Sequence, residues 1–522
     1  MNLVRATGTI GGLTMVSRIA GFVRDMLLAR ILGPGMAADS FFVAFQLPNI
    51  FRRLFAEGAF AAAFVPLFSR KLGKDGELED AEEFSSEVVS VFVPILILFV
   101  ALFEIAMPAI IWLMASGFQE VPGKFELTVA LARITFPYLF LISMVALLAA
   151  ILNSMSRFAA GASFPILLNL VLIAALLIGS QIADGDTVLI AYLLAGGVAL
   201  GGVVQLAWLW FWMKRSGFRL RFQRPRLTKD VKELGIIILP AAFGAGVYQI
   251  SQLVQLFFAT QLPSGSVSHL NFADRLNQLP LGVIGIALGT AILPALSRHI
   301  GADDKAQADR VQSNAIELAM LLTFPAAAAL MICAPAFVNA FFLGGQFDAD
   351  DARITSNVLA ALVAGLPAYV LIKVLTPAFF SRKDTRTPVY AAALVLIFFI
   401  TFNVLMIDRL GIVGIASATA IGAWLNVFML YAIMRKRGHY ALNAPLVRRL
   451  LSQLLATGAM TAMLFYLLPY LSDWFGGSVF ERVASIAALV SAGMLVYFGA
   501  AALTGAIDRS KIALLVKRKA PN

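Results

Sequence analysis

A chain of 522 residues that is 60% hydrophobic and only 14% charged lies above the roughly 45 to 50% apolar content of soluble domains, which excludes an ordinary water-soluble globule. A single cysteine, Cys333, supports neither a disulfide framework nor a thiolate metal site, and His269, His299 and His439 are scattered, so no metal or other cofactor is expected. The formal charge of +11 is spread over short loops between apolar runs instead of one soluble face, which argues against a nucleic-acid partner.

A helix needs about 20 apolar residues to cross a hydrocarbon layer of roughly 30 Å, because unpaired backbone groups are not tolerated there. That criterion predicts an all-α polytopic membrane protein of about fourteen spanning helices, over 8–32, 38–69, 87–115, 127–153, 159–182, 188–213, 234–262, 268–298, 316–344, 354–380, 388–407, 411–434, 446–470 and 481–505. Arg18, Arg24 and Asp25 interrupt the apolar run that a cleavable signal peptide requires, so the N-terminal segment reads as the first of these helices.

Basic residues are retained in cytoplasmic loops. Alternate connections carry Arg70, Lys71 and Lys74; Arg157; the stretch KRSGFRLRFQRPRLTKDVK from Lys214 to Lys232; Arg298, Lys305 and Arg310; Arg382, Lys383 and Arg386; and Arg435, Lys436, Arg437, Arg448 and Arg449. The intervening loops carry mainly acids: Glu120, Glu126, Asp184, Asp186, Asp348, Asp350, Asp351, Asp408 and Asp473. Both termini are therefore expected in the cytoplasm, and the basic loops read first as topology signals and as contacts for anionic membrane lipids.

The stretch QLPNIFRRLFAEGAFAAAFVPLFSR, ending at Arg70, is echoed by NQLPLGVIGIALGTAILPALSR, ending at Arg298, and FPYLFLISMVALLAAILNSMSRF by LPAYVLIKVLTPAFFSRKD. The paired echoes predict a duplication: a first six-helix lobe over 1–214, a basic cytoplasmic linker over 215–232, a second six-helix lobe over 233–437, and two further helices with a basic tail over 438–522.

Charges inside the apolar segments are costly and mark a watery cavity or a partner. On one straight helix from Asp39 to Arg70, Arg52 lies about 20 Å along a length of about 46 Å, near mid-membrane. Arg53 has Glu57 four residues on as a partner on its own face, whereas Arg52 has no such partner. In the first helix Ser17, Gly21 and Arg24 share one face, with Arg18 and Asp25 on a neighbouring one. In the eighth, Asn271, Asp274, Arg275 and Gln278 fall within a turn of each other, and Lys373 adds a cation in the tenth. An electropositive interior of this kind suits phosphate oxygens. A lipid with a phosphorylated head group fits such a site better than a soluble anion.

The run TMVSRIAGFVRDMLLARILGPGMAADSFFVAFQLPNIFRRLFAEGAFAAAFVP, with ADRLNQLPLGVIGIALGTAILPALS and FFSRKDTRTP, resembles the MurJ (MviN) family of bacterial lipid II flippases, within the multidrug/oligosaccharidyl-lipid/polysaccharide exporter superfamily. The resemblance implies two six-helix lobes around a central cavity, two C-terminal helices beside a groove for the polyprenyl tail, and a place in the bacterial inner membrane. It implies a transporter and not an enzyme, moving lipid II (the undecaprenyl-diphosphate-linked disaccharide pentapeptide) outward by alternating access, with cell-wall synthesis proteins as partners. Substrate-binding arginines fall on Arg18, Arg24, Arg52 and Arg275, and the family's acid at the outer end of the second helix on Asp39. Members often carry glutamate where Gln278 stands, so a proton or salt-bridge role lacks its carboxylate there. The seventh and eleventh helices hold no buried carboxylate for a sodium site. The alternative readings are a flippase for another polyprenyl-diphosphate-linked sugar and a cation-coupled drug exporter; the second would call for buried carboxylates, whereas the surplus here is basic.

Overall fold

The structure, a computed structural model, describes residues 3–53, 60–72 and 78–506, without the side chains of 3–7, 61–62, 239–248, 283 and 285–291. Glu57, Lys74 and the basic C-terminal tail fall outside the described residues. The described chain is helical and divides into two compact units, one of residues 1–268 with 345–347, the other of 269–344 with 348–522.

The first unit runs through α1 (Leu3–Leu32), α2 (Met36–Phe51), α3 (Phe60–Lys71), α4 (Glu79–Ala115), α5 (Lys124–Thr135), α6 (Tyr138–Ser154), α7 (Phe158–Ile182), α8 (Thr187–Arg215) and α9 (Lys229–Thr260). Helix α7 packs along both α1 and α8. Glycines allow the close approach: a Cβ at Gly201 would lie 2.5 Å from a methyl of Leu168. The second unit holds most of α10 (Ser266–Gly301), then α11 (Lys305–Ile332), α12 (Ala334–Phe341), α13 (Ala349–Val363), α14 (Leu366–Phe380), α15 (Arg386–Lys436), α16 (Ala444–Leu467) and α17 (Val479–Leu503).

Among the described residues, nine helical stretches are long and apolar enough to span a membrane. Several predicted spans are composite. The segment 127–153 is α5 followed by α6, and 354–380 is α13 followed by α14; of 38–69 the structure describes α2 and α3 but not residues 54–59 between them. Conversely α15 is 51 residues long, about 76 Å if straight and more than one bilayer crossing. It is broken at Gly411, whose φ of 53° and ψ of −139° lie where a side chain is disfavoured. The break separates the two spans expected at 388–407 and 411–434. On α4, Ile97, Leu98, Leu102, Ile105 and Leu113 are exposed, the surface expected of a helix solvated by lipid.

Ionic ties fasten the ends of the second unit. Arg449 on α16 reaches Glu317 on α11 at 2.7 Å, Gln453 donates to the Glu317 carbonyl at 3.2 Å, and the Tyr497 hydroxyl of α17 donates to the Leu321 carbonyl at 2.6 Å. The two last helices are thereby anchored to α11. Between α14 and α15, Asp384 accepts from the Thr387 hydroxyl at 2.6 Å and backbone N–H at 3.0 Å, and pairs with Arg437 at 2.6 Å. These donors, Thr387 first and Arg437 after it, hold the Asp384 carboxyl at about 2. Burial, then Arg382 and Arg437, push the neighbouring His439 below its ordinary value.

Candidate functional site

Arg24 is the best-defined guanidinium of the candidate set. Its Nε and Nη2 donate to one oxygen of Asp25 at 2.9 and 2.7 Å, and its Nη1 donates to Asn169 Oδ1 on α7 at 2.9 Å. The Asn169 amide donates in turn to the carbonyls of Ser17 and Pro165, each at 3.2 Å. All three guanidinium nitrogens are thus engaged, and the half-buried head is fixed in one orientation with much of its charge balanced by the buried Asp25. Gly21 lies against the same asparagine: a Cβ there would sit 3.6 Å from its amide nitrogen. The polar face read from Ser17, Gly21 and Arg24 is therefore a packing seam between α1 and α7 as well as a row of polar groups. Arg18, on the same helix, is exposed.

Arg52 and Arg53 stand at a π-helical turn following α2, a wide turn frequent at functional places in helices. Pro48 within α2 has no N–H to offer the Ala44 carbonyl, and that carbonyl accepts instead from the Thr135 hydroxyl of α5 at 3.1 Å. Arg52 is half-buried, and its Nε donates to Asn49 Oδ1 one turn back at 3.3 Å. This neutral partner on the same helix is what a search for carboxylates at i+4 overlooks. Arg53 is exposed, and its expected partner Glu57 lies outside the described residues.

Asp39 is buried at 1% exposure and saturated. One oxygen accepts from Lys124 Nζ at 2.8 Å and the Gly265 N–H at 2.7 Å; the other accepts from the Ser268 N–H at 2.9 Å and its hydroxyl at 2.6 Å. Lys124, equally buried, also donates to Ser264 Oγ at 2.8 Å and lies 4.0 Å from the centroid of the Phe118 ring. The acid that the resemblance places at the outer end of the second helix is the centre of a clasp joining α2, α5 and the start of α10. Lys124 had one available signal, a lysine within an otherwise acidic outer connection; nothing in the sequence matched it to an aspartate 85 positions away.

In the second unit, Arg275 and Asn271 are half-buried on α10. Asp274 accepts from Asn277 Nδ2 at 3.3 Å and from Gln278 Nε2. Gln278, exposed, therefore serves as a donor to Asp274 where a glutamate would repel it. Lys373 is exposed on α14, which contains Pro377. At the other end of the first unit, Arg70 meets Glu233 at 2.8 Å and Lys71 meets Asp230 at 2.7 Å, joining α3 to α9.

The helical array and its basic groups inside apolar helices define a multi-pass membrane transporter of the multidrug and lipid exporter fold. An inward-facing multidrug transporter of the MATE family in the MOP superfamily matches with a TM-score of 0.62 over 82% of this chain and 97% of that one, at 16% identity, a likeness of fold alone. The family model for the lipid II flippase MurJ matches residues 28–485. A relative from Rhizobium meliloti (strain 1021), described as "Probable lipid II flippase MurJ", is 40% identical over the whole of this chain and 97% of its own. The lipid II flippase MurJ of Burkholderia cenocepacia is 33% identical, with 96% of this chain and 97% of the relative covered. A solved lipid II flippase MurJ in an inward closed conformation gives a TM-score of 0.76 at 25% identity, covering 95% of this chain and 98% of that one. The chain belongs to the MurJ family of lipid II flippases. It is a multi-pass protein of the bacterial inner membrane and a transporter, not an enzyme.

Proposed function

We propose that the protein carries lipid II from the cytoplasmic to the outer leaflet by alternating access, and that Arg18, Arg24, Arg52 and Arg275 bind its diphosphate. Family membership supports the substrate. The observation that supports the residues is the preorganised Arg24, whose three nitrogens are held by Asp25 and Asn169, with Arg52 half-buried at a π-helical turn. A guanidinium fixed before the ligand arrives loses little side-chain entropy on binding and meets phosphate oxygens with a planar fork. Ser17, Asp25, Asn271, Asp274, Gln278 and Lys373 belong to the same proposal as supporting groups, while Asp39 supports it by holding helix ends. Arg53 and, outside the described residues, Glu57 are further supporting groups in this reading. The two six-helix lobes over 1–214 and 233–437, their linker over 215–232 and the last two helices over 438–522 are the moving parts of the proposed cycle.

A membrane potential positive outside favours outward movement of the anionic head group, by about 2.3 kcal/mol per charge per 100 mV. The test is leaflet exchange of lipid II in proteoliposomes together with depletion and complementation in cells. Arg52→Ala at normal protein level is expected to leave lipid II on the cytoplasmic side; full export by that variant refutes the phosphate-binding role.

A further inference from the structure

The segment joining α8 to α9 does not hang free. Its backbone is clipped to α4: the Arg219 N–H donates to Glu82 Oε1 at 2.7 Å, the Arg221 N–H to Ser86 Oγ at 3.0 Å, and the Gln223 N–H to Ser90 Oγ at 2.9 Å. Two residues of extended chain span about 6.6 Å and four residues of helix about 6 Å, so alternate N–H groups of the strip meet successive turns of the helix. The serines serve both sides. Ser86 Oγ donates to the Glu82 carbonyl at 2.6 Å and Ser90 Oγ to the Ser86 carbonyl at 2.7 Å, which leaves their lone pairs for the strip. Thr228 then closes the excursion on Glu87 at 2.9 Å.

From Glu82 to Ser90 the strip travels about 12 Å along α4, from its charged first turns to the edge of the apolar run VFVPILIL that begins at Val91. Along and beyond that path it presents Arg219, Arg221, Arg224 and Arg226, all exposed, and no carboxylate pairs with any of the four among the described residues. Glu82 and Glu87, the acids facing the strip, are taken by its backbone and by Thr228, and Asp230 by Lys71. Between the arginines stand Phe222 and Leu227, 70% and 66% exposed. Eight basic residues against one acid between 214 and 232, two exposed apolar side chains and the onset of the lipid-facing belt on one helix are the chemistry of an anionic bilayer surface. The nearness of this apolar pair to the exposed apolar face of α4 favours a bilayer surface over nucleic acid or an acidic protein.

We propose that the strip Phe218–Leu227 is a built docking site for anionic phospholipid head groups of the cytoplasmic leaflet, with α4 as its rigid backing and Phe222 and Leu227 seated among the upper acyl carbons. The site is separate from the candidate lipid II residues and reads out separately. In the full-length protein carrying Cys333→Ala, the probe is an environment-sensitive fluorophore on Phe222→Cys, and in a second protein on Leu227→Cys. Nanodiscs contain phosphatidylcholine alone or phosphatidylcholine with phosphatidylglycerol. The expected result is a blue shift and severalfold stronger quenching by brominated acyl chains when phosphatidylglycerol is present, both weakened by high salt. Replacing Arg219, Arg221, Arg224 and Arg226 by Gln one at a time should lower the apparent phosphatidylglycerol affinity by about fivefold each, and all four together should abolish the response. Equal spectra in the two bilayers, a response indifferent to salt, or a response seen only on adding RNA or an acidic soluble protein overturns the proposal. Because the salt titration is made on protein with all four arginines, a failure of the fourfold variant to fold does not shelter it.

Discussion

Replacing Asp39 by Asn tests whether the clasp stabilises the fold through its charge. The substitution keeps the size of the side chain and changes one oxygen into a donor. Both oxygens of Asp39 accept, from Lys124, Gly265 and Ser268, so whichever way the amide turns, a donor faces a donor. Lys124, 1% exposed, is left with a charge that no carboxylate balances. Breaking a buried ion pair from one side costs about 3 to 5 kcal/mol. With an unfolding entropy of roughly 2.1 cal/mol/K per residue over the whole chain, that is a fall in Tm of about 3 to 5 °C. The double variant Asp39→Asn with Lys124→Met removes both charges and should recover part of the loss, since the coupling between the two positions vanishes with the pair. Unfolding followed by intrinsic fluorescence in detergent, on the parent, both single variants and the double, gives the cycle. Additive losses, or an Asp39→Asn protein as stable as the parent, refute the reasoning.

Other outcomes follow from the same geometry. Arg24→Lys keeps the charge and loses the fork that joins Asp25 to Asn169, so lipid II export should fall about tenfold or more, because charge-assisted hydrogen bonds contribute roughly 1.5 to 3 kcal/mol each; Asn169→Leu should give a smaller loss because the Asp25 bonds remain. Arg449→Met removes the 2.7 Å ion pair that ties α16 to Glu317 of α11, and limited proteolysis should then cut the connection after α15 faster while the first unit keeps its resistance. Asp384, held at about 2 against an ordinary 3.8, stabilises the α14–α15 turn fully above its ordinary value, and that contribution is lost as pH falls towards 2. His439 is also lowered, so its neutral form favours the fold: the contribution is present above about 6.5 and is lost as pH falls through the lowered value. Hydrogen exchange of the 381–387 and 437–443 turns across pH 3 to 8 checks both signs; greater protection in acid would contradict them.

The helical plan was legible because crossing a bilayer is a local requirement: about 20 apolar residues close all backbone hydrogen bonds within one segment. The same locality exposed Arg18, Arg24, Arg52 and Arg275 as costly exceptions, and placed a boundary near Gly411 inside what would otherwise be one overlong helix. Pairing is not local. Asp39 finds Lys124 and Ser268, and Arg24 finds Asn169, across 85, 229 and 145 positions, and no period of 3.6 records which helices lie side by side. Pro48 leaves the Ala44 carbonyl without its helical donor, and the hydroxyl that replaces it comes from Thr135 of another helix.

What the sequence determined by itself is therefore the set of helices, the membrane as their solvent, and the identity of the cations that lipid cannot solvate. What tertiary structure alone decided is the fate of each polar group: Asp39 closed in a clasp, Arg24 clamped, and the basic strip after α8 laid along a ladder of Glu82, Ser86 and Ser90. Burial of an apolar run is scored residue by residue, whereas a hydrogen bond needs two groups in place at once, and only the packed chain brings them there.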